Sequence, residues 1–266
     1  MKAACSTAGF TKMPLEDALQ NIRELGFDAV DLLMMENWAH INPSELVPDP
    51  VSKANQVAEM LKANGLTAIG INSNLSSPIN ILDPVHQEEN RSEVEALAVF
   101  AQNIEVPVIV LQPGPVDPDR GLERSQEASI NALGDMVRIA RAHEKEIAIE
   151  THVNSVAEEY EDALKMAKDV PGLKLAYDPS HFVMKELNLA DSEPMMEYTA
   201  HVHLRNAVVG NFQAEMDKGI LDFDWVLSML RKYNYEGYIS VEYIDGRENY
   251  DVKEQIAKLK KVIERG

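Results

Sequence analysis

A single cysteine, Cys5, stands in the 266-residue chain, so no internal disulfide can form, as suits a reducing cytoplasm. Basic residues are scarce: 25 Lys and Arg face 44 Asp and Glu, a formal net charge of −19. Such a field repels phosphate backbones, and no basic cluster offsets it, so nucleic acid is not an expected partner. No apolar run approaches the length of a membrane span, and the opening M-K-A-A-C-S-T-A-G-F lacks the apolar stretch of a secretory signal. The expected location is the cytoplasm, with no membrane association. No Gly/Ser linker or low-complexity stretch divides the chain, and no helix opening carries a Gly-rich phosphate fingerprint, which argues against an open nucleotide-binding sheet.

What the chain does have is alternation. Short β-branched or apolar runs take turns with longer amphipathic segments, eight of each. The strands are expected around residues 2–6, 29–34, 67–72, 108–112, 147–150, 173–177, 201–204 and 238–242. Helices are expected near residues 15–25, 51–64, 88–103, 124–142, 156–167, 223–232 and 252–264, with a weaker one across 182–198. At roughly 30 residues per βα unit, eight units consume this length, so the expected fold is α/β, one (β/α)8 TIM barrel over residues 1–266.

A barrel gathers the carboxyl ends of its strands at one mouth. The fifth strand ends in I-A-I-E-T-H (Glu150, His152), the sixth in L-A-Y-D-P-S-H (Asp178, His181), the seventh reads H-V-H-L-R-N (His201, His203, Arg205) and the eighth ends in I-S-V-E-Y (Glu242). One acid at a strand end is commonly a cap or a solvated loop residue. Four successive strands delivering carboxylates and imidazoles to one rim form an oxygen and nitrogen set suited to a divalent ion: manganese first, with zinc, cobalt or magnesium as alternatives. Strand alternation sends His201 and His203 to the same side; His203, nearer the carboxyl end, is the better ligand, and His201 reads as a packed residue lower in the barrel.

These four runs, together with V-D-L-L and the N-W-A-H-I loop in the first quarter, resemble the xylose isomerase-like TIM barrel superfamily, in its branch of sugar phosphate isomerases and epimerases. The resemblance covers essentially the whole chain. It implies one metal held by Glu150, Asp178, His203 and Glu242, with His181 touching a substrate oxygen and Glu150 and Glu242 exchanging the carbon-bound proton. Ketohexose epimerases of that branch carry an arginine six residues after the seventh-strand histidine and a glutamate six after the fifth-strand one; here Val209 and Val156 stand there. The three-metal endonuclease IV pattern needs histidines on strands three and four, which here end in I-N-S-N and V-L-Q-P.

The expected activity is therefore metal-dependent isomerisation or epimerisation of a sugar or sugar phosphate, by proton abstraction beside a metal-bound carbonyl. One alternative is a lyase or dehydratase of the same superfamily acting on a keto sugar, inosose or 3-keto glycoside, in the manner of a C-glycoside deglycosidase. Another is a sugar-binding barrel without catalysis. His152 reads as an acid/base or an orienting neighbour. Arg205 can pair with a substrate oxyanion or with a neighbouring acid, Trp38 can wall a sugar ring, and His40 and Gln213 can supply polar contacts from loops. The expected partner is a small sugar-derived substrate, and a homo- or hetero-oligomer is compatible with the chain.

Overall fold

A computed structural model describes residues 1–266. Eight parallel strands, β1 (Lys2–Ser6), β2 (Ala29–Met35), β3 (Thr67–Asn74), β4 (Val108–Leu111), β5 (Glu146–Glu150), β6 (Lys174–Tyr177), β7 (Thr199–Leu204) and β8 (Tyr238–Val241), pair in chain order, and β8 closes on β1. This is the expected (β/α)8 TIM barrel. The helices are α1 (Leu15–Glu24), α2 (Pro43–Leu46), α3 (Pro50–Asn64), α4 (Pro84–Asn103), α5 (Gly121–Ala142), α6 (Tyr160–Asp169), α7 (Ser180–Met184), α8 (Phe223–Lys232) and α9 (Val252–Arg265).

Local chemistry sets their ends. Asp49, Asp83, Asp222 and Asp251 each cap a helix by accepting from a backbone N–H one turn in, and Pro50 and Pro84 fill first positions where no N–H is needed. α3 stops at Gly65, whose φ of +61° is the left-handed conformation that glycine adopts without strain.

Two expected helices differ. The segment expected from residue 156 starts only at Tyr160, because the backbone of Val156 is engaged elsewhere: its N–H donates to Gly114 O and its carbonyl accepts from Gln126 Nε2. The weak helix across 182–198 is two pieces, α7 and a 3-10 stretch over Leu189–Glu197, divided where Glu186 takes a φ of +58° and with Pro194 inside the second piece. A 3-10 turn at Thr7–Phe10 and the short α2 have no counterpart in the expected pattern.

The main core lies between the sheet and the helices, built from residues such as Ile71, Ile109, Ile149, Leu175 and Val202 on the outward strand positions. The inward positions are small, with Val108, Val110, Ala148 and Ala176 packed together. On the period of two, the inward set continues upward as Glu150 above Ala148, Asp178 above Ala176, and His203 and Arg205 above His201. Two register shifts modify this pattern. Val30 and Asp31 pair with Ala68 and Gly70, leaving Ile69 extra on β3, and Leu175 and Ala176 pair with Thr199 and His201, leaving Ala200 extra on β7. Both bulges sit just before residues that meet inside the barrel, Gly70 and His201.

Candidate active site at the barrel mouth

The centre of the mouth is His203, fully buried at the end of β7. Its Nδ1 lies 2.6 Å from Glu150 Oε1 and 3.7 Å from Glu242 Oε2, and its Nε2 lies 2.9 Å from Asp31 Oδ2. Asp31 also holds His201, whose Nε2 is 2.9 Å from the same oxygen. One buried carboxylate on β2 therefore fixes both histidines of H-V-H, and His201 sits lower in the barrel as a packed, paired residue. The contact depends on Gly70. A Cβ there would come within 2.6 Å of His201 Cε1 and 2.8 Å of Asp31 Oδ1, closer than real contacts allow.

Asp178 and Glu242 share a second cation. Arg205, two residues after His203 and on the same side of the chain, pairs through Nη2 with Asp178 and through Nη1 with Glu242 Oε2 at 2.9 Å. It also donates to Ser180 Oγ at 3.1 Å and to the Glu242 carbonyl at 3.3 Å. Its donors are committed to the protein, so the geometry favours the neighbouring-acid role over a substrate contact. Asp178 Oδ1 in turn accepts from the Ser180 N–H, which closes the D-P-S turn. Nη2 of Arg205 lies 3.3 Å from His181 Nε2, which marks that nitrogen as an acceptor; His181 Nδ1 is buried without a partner. His181 packs between His152, at 4.6 Å between ring centroids, and Phe212, stacked at 5.0 Å.

These surroundings drive the carboxyls apart. Burial alone would raise Glu150, but the charge and hydrogen bond of His203, with His181 and His152 beyond, hold it well below the usual carboxylate range. Burial pushes Glu242 up to about 7, aided by the charges of Glu150 and Asp178 and opposed by His203 and Arg205. Burial would lower His203, yet Glu242 and Glu150 lift it well above the ordinary histidine value. Burial lowers His181 to about 4, so it is neutral near pH 7.

Glu150, His203 and Glu242 converge closely enough to grip one ion, as do Glu150, Asp178 and His181, with Glu150 common to both groups. The donors fit a divalent cation. An imidazole whose far nitrogen is pinned by a buried carboxylate while its near nitrogen faces two more is the arrangement that orients a metal-ligating histidine.

A cavity of about 280 Å³ opens above this set, lined among others by Glu150, Glu242, His152, Asn72, Trp38 and Arg247. Trp38 stands on its wall, half-exposed. His40 and Gln213 are not brought to it. His40 Nε2 is 3.1 Å from the Phe10 carbonyl, and Gln213 uses both ends of its amide on the backbone of Ile244, which ties the loop after β7 to the exit of β8. Sequence reading passed over Asp31, Asn72, Phe212 and Arg247. Asn72 Nδ2 donates to Glu242 Oε1 at 3.0 Å while its Oδ1 is buried and unpaired. A lone acid in the apolar run A-V-D-L-L-M-M, and a Gly inside T-A-I-G-I-N, were the available signals for the Asp31–Gly70 contact.

The chain is similar to several known proteins. The 2-oxo-tetronate isomerase of Pectobacterium atrosepticum is 24% identical over 256 residues, covering 88% of each chain. The structure of 3-keto-D-glucoside 4-epimerase from E. coli superposes with a TM-score of 0.78 at 18% identity, covering 98% of this chain and 99% of that one. That of a probable 3-DHS dehydratase from Bacillus anthracis gives 0.75 at 17% identity, covering 99% of both. A family model described as xylose isomerase-like TIM barrel matches residues 19–262, and the chain belongs to that family.

Proposed function

We propose that the protein is a divalent-metal-dependent isomerase or epimerase that moves a carbon-bound proton beside the carbonyl of a small sugar-derived substrate. The observation that carries this reading is the pair Glu150 and Glu242, two buried carboxylates 2.6 and 3.7 Å from His203 Nδ1. Glu150 and Glu242, both close to that imidazole nitrogen, are the groups to take a proton from carbon and to return one. The 2-oxo-tetronate isomerase likeness agrees with this class and makes a 2-oxo-tetronate one substrate to try.

Glu150, His203 and Glu242 would hold the ion, with Asp178 as the fourth donor that the family resemblance assigns. Manganese leads, with zinc, cobalt and magnesium as alternatives, because the donors are carboxylate oxygens and one imidazole nitrogen. A divalent ion held there supplies Lewis-acid polarisation of a carbonyl. The protein's own residues would do the rest: His181 Nδ1–H, a neutral donor without a protein partner, would serve a substrate oxygen, as the family resemblance implies, and Asn72 Oδ1 is an unmet acceptor for a hydroxyl. Phe212 and Trp38 offer apolar wall.

The second reading, a dehydratase, draws on His152. Its Nδ1 lies 2.9 Å from the Val153 carbonyl, which marks Nε2 as the free nitrogen beside Glu150 and His181. That nitrogen, an acceptor in the neutral ring, can take up the proton removed from carbon and then hand it to the departing hydroxyl.

The test is a screen of free ketoses, 2-oxo acids, ketose phosphates, inososes and 3-keto glycosides with added manganese, run in deuterated water. An isomerase or epimerase places solvent deuterium on carbon and returns a product of unchanged formula, whereas a dehydratase releases water. Glu150→Gln and Glu242→Gln should each cut turnover by about 10²–10⁴-fold in folded protein. Full turnover in both variants would remove the carboxylate pair from the mechanism.

A further inference from the structure

Arg247 stands at the rim of the mouth on the loop after β8, in I-D-G-R-E-N, and lines the same cavity as Glu150 and Glu242. Its guanidinium carbon lies over the Phe212 ring, 4.0 Å from the centroid, a cation–π contact that holds the group at the rim. It forms neither a hydrogen bond nor an ion pair, although the chain has 44 acidic residues to offer. The acids nearest to it in sequence are committed elsewhere. Asp245 lies 3.6 Å from Lys12 Nζ, with its N–H on the Ala8 carbonyl, and Glu248 Oε1 accepts from Asn211 Nδ2 at 2.7 Å. The loop is thus anchored on both sides of Arg247, and its guanidinium is left with five donors and no acceptor. The other guanidinium lining the cavity, Arg205, is fully engaged with Asp178 and Glu242.

A mouth this rich in carboxylates repels anions everywhere except beside such a group. The arrangement therefore gives a site for negative charge at the rim, away from the acids in the floor, inside a cavity sized for a small molecule.

We propose that Arg247 is the specificity residue of this site and that the substrate is a short polyhydroxy ketone carrying a terminal carboxylate or phosphate, with the anion on Arg247 and the reacting carbon toward Glu150 and Glu242. The proposal rests on the isomerase reading for the ketone and for which end of the substrate faces the floor; the anion rests on Arg247.

The test is calorimetric binding to the manganese-loaded protein of three non-reacting probes with one chain length: threonate for the carboxylate, erythritol 4-phosphate for the phosphate, and threitol as the uncharged control. Wild type should bind at least one anion about ten- to a hundredfold tighter than threitol. Arg247→Met should remove that preference while threitol affinity stays within about twofold, and Arg247→Lys should keep part of it. The anion whose preference collapses identifies the source of the charge. Since Arg247 is exposed and outside the core, these variants are expected to fold. An anion preference unchanged in Arg247→Met, or no preference in wild type, overturns the proposal. Arg247-dependent anion binding with no deuterium exchange on any ketone would overturn the isomerase reading and leave Arg247 standing; turnover of an uncharged ketose alone would do the reverse.

Discussion

Asp31 carries its charge away from the surface: the residue is fully buried, one oxygen serves two imidazoles and the other has no protein partner. Burial works against its ionised form, but His201 and then His203 outweigh it and hold the carboxyl far below the usual range. Removing one member of such a group leaves the others buried and unpaired, which commonly costs about 3–5 kcal/mol. Asp31→Ala is therefore expected to unfold at markedly lower urea. The informative change is Asp31→Asn, which keeps the volume but replaces an anion by an amide with weaker orienting power on His203 Nε2. It should fold and bind manganese about 10–100-fold more weakly, as read by calorimetry. Wild-type affinity in this variant would mean that His203 is not oriented through Asp31. Nothing local in the sequence points from Asp31 to His203, because the two lie 172 residues apart. Arg205 differs: alternation along H-V-H-L-R puts it on the same face as His203, and only the competition between substrate and acid needed coordinates to resolve.

At the scale of elements, the strands were legible because each is a short apolar run with its own punctuation, and the carboxyl-end acids were legible because the barrel sends every strand end to one rim. The bulges at Ile69 and Ala200 were not, since register is a property of two strands and neither sequence alone contains it. The same holds for α6, whose expected first turn was claimed by hydrogen bonds to Gly114 and Gln126. His40 and Gln213 were assigned by loop position alone, and both turn out to bind backbone. Gly70 tests how tightly the bulged strands are fitted. Gly70→Ala places a methyl against His201 Cε1 and Asp31 Oδ1, both buried side chains held by hydrogen bonds, so neither can swing away at low cost. Overpacking of this kind typically costs about 1–3 kcal/mol. Chemical denaturation should show that loss, and the double variant Gly70→Ala with His201→Ala should recover part of it. Additive losses in the double variant would place the strain elsewhere.

For the whole molecule, acidity and metal binding are one problem. A net charge of −19 and three carboxylates in the barrel mouth make the metal-free protein pay an electrostatic cost that rises with pH. The sign follows from the two groups raised on folding. Glu242, lifted from its ordinary 4.5 to about 7, and His203, lifted well above 6.5, contribute stability that is complete below their unfolded values and is lost as pH rises through the folded ones. Metal-free protein should therefore lose stability from Glu242 as pH rises from about 4.5 to 7, and from His203 as pH rises above 6.5. A bound divalent ion must displace the same protons, so its affinity should fall as pH drops below about 7, with proton release measurable by calorimetry in buffers of different ionisation heat. Both effects widen the gap in melting temperature between metal-loaded and metal-free protein as pH rises. Manganese at about a hundred times its Kd stabilises by roughly 2.7 kcal/mol, which for a chain of this size is a shift of about 5–10 °C. At a fixed manganese concentration, the difference in Tm between manganese-loaded and EDTA-treated protein should be larger at pH 8 than at pH 6. The opposite order, or no difference at either pH, would mean that Glu150, His203 and Glu242 do not bind the ion as a set, and that His203 and Arg205 suffice to balance the acids at the barrel mouth.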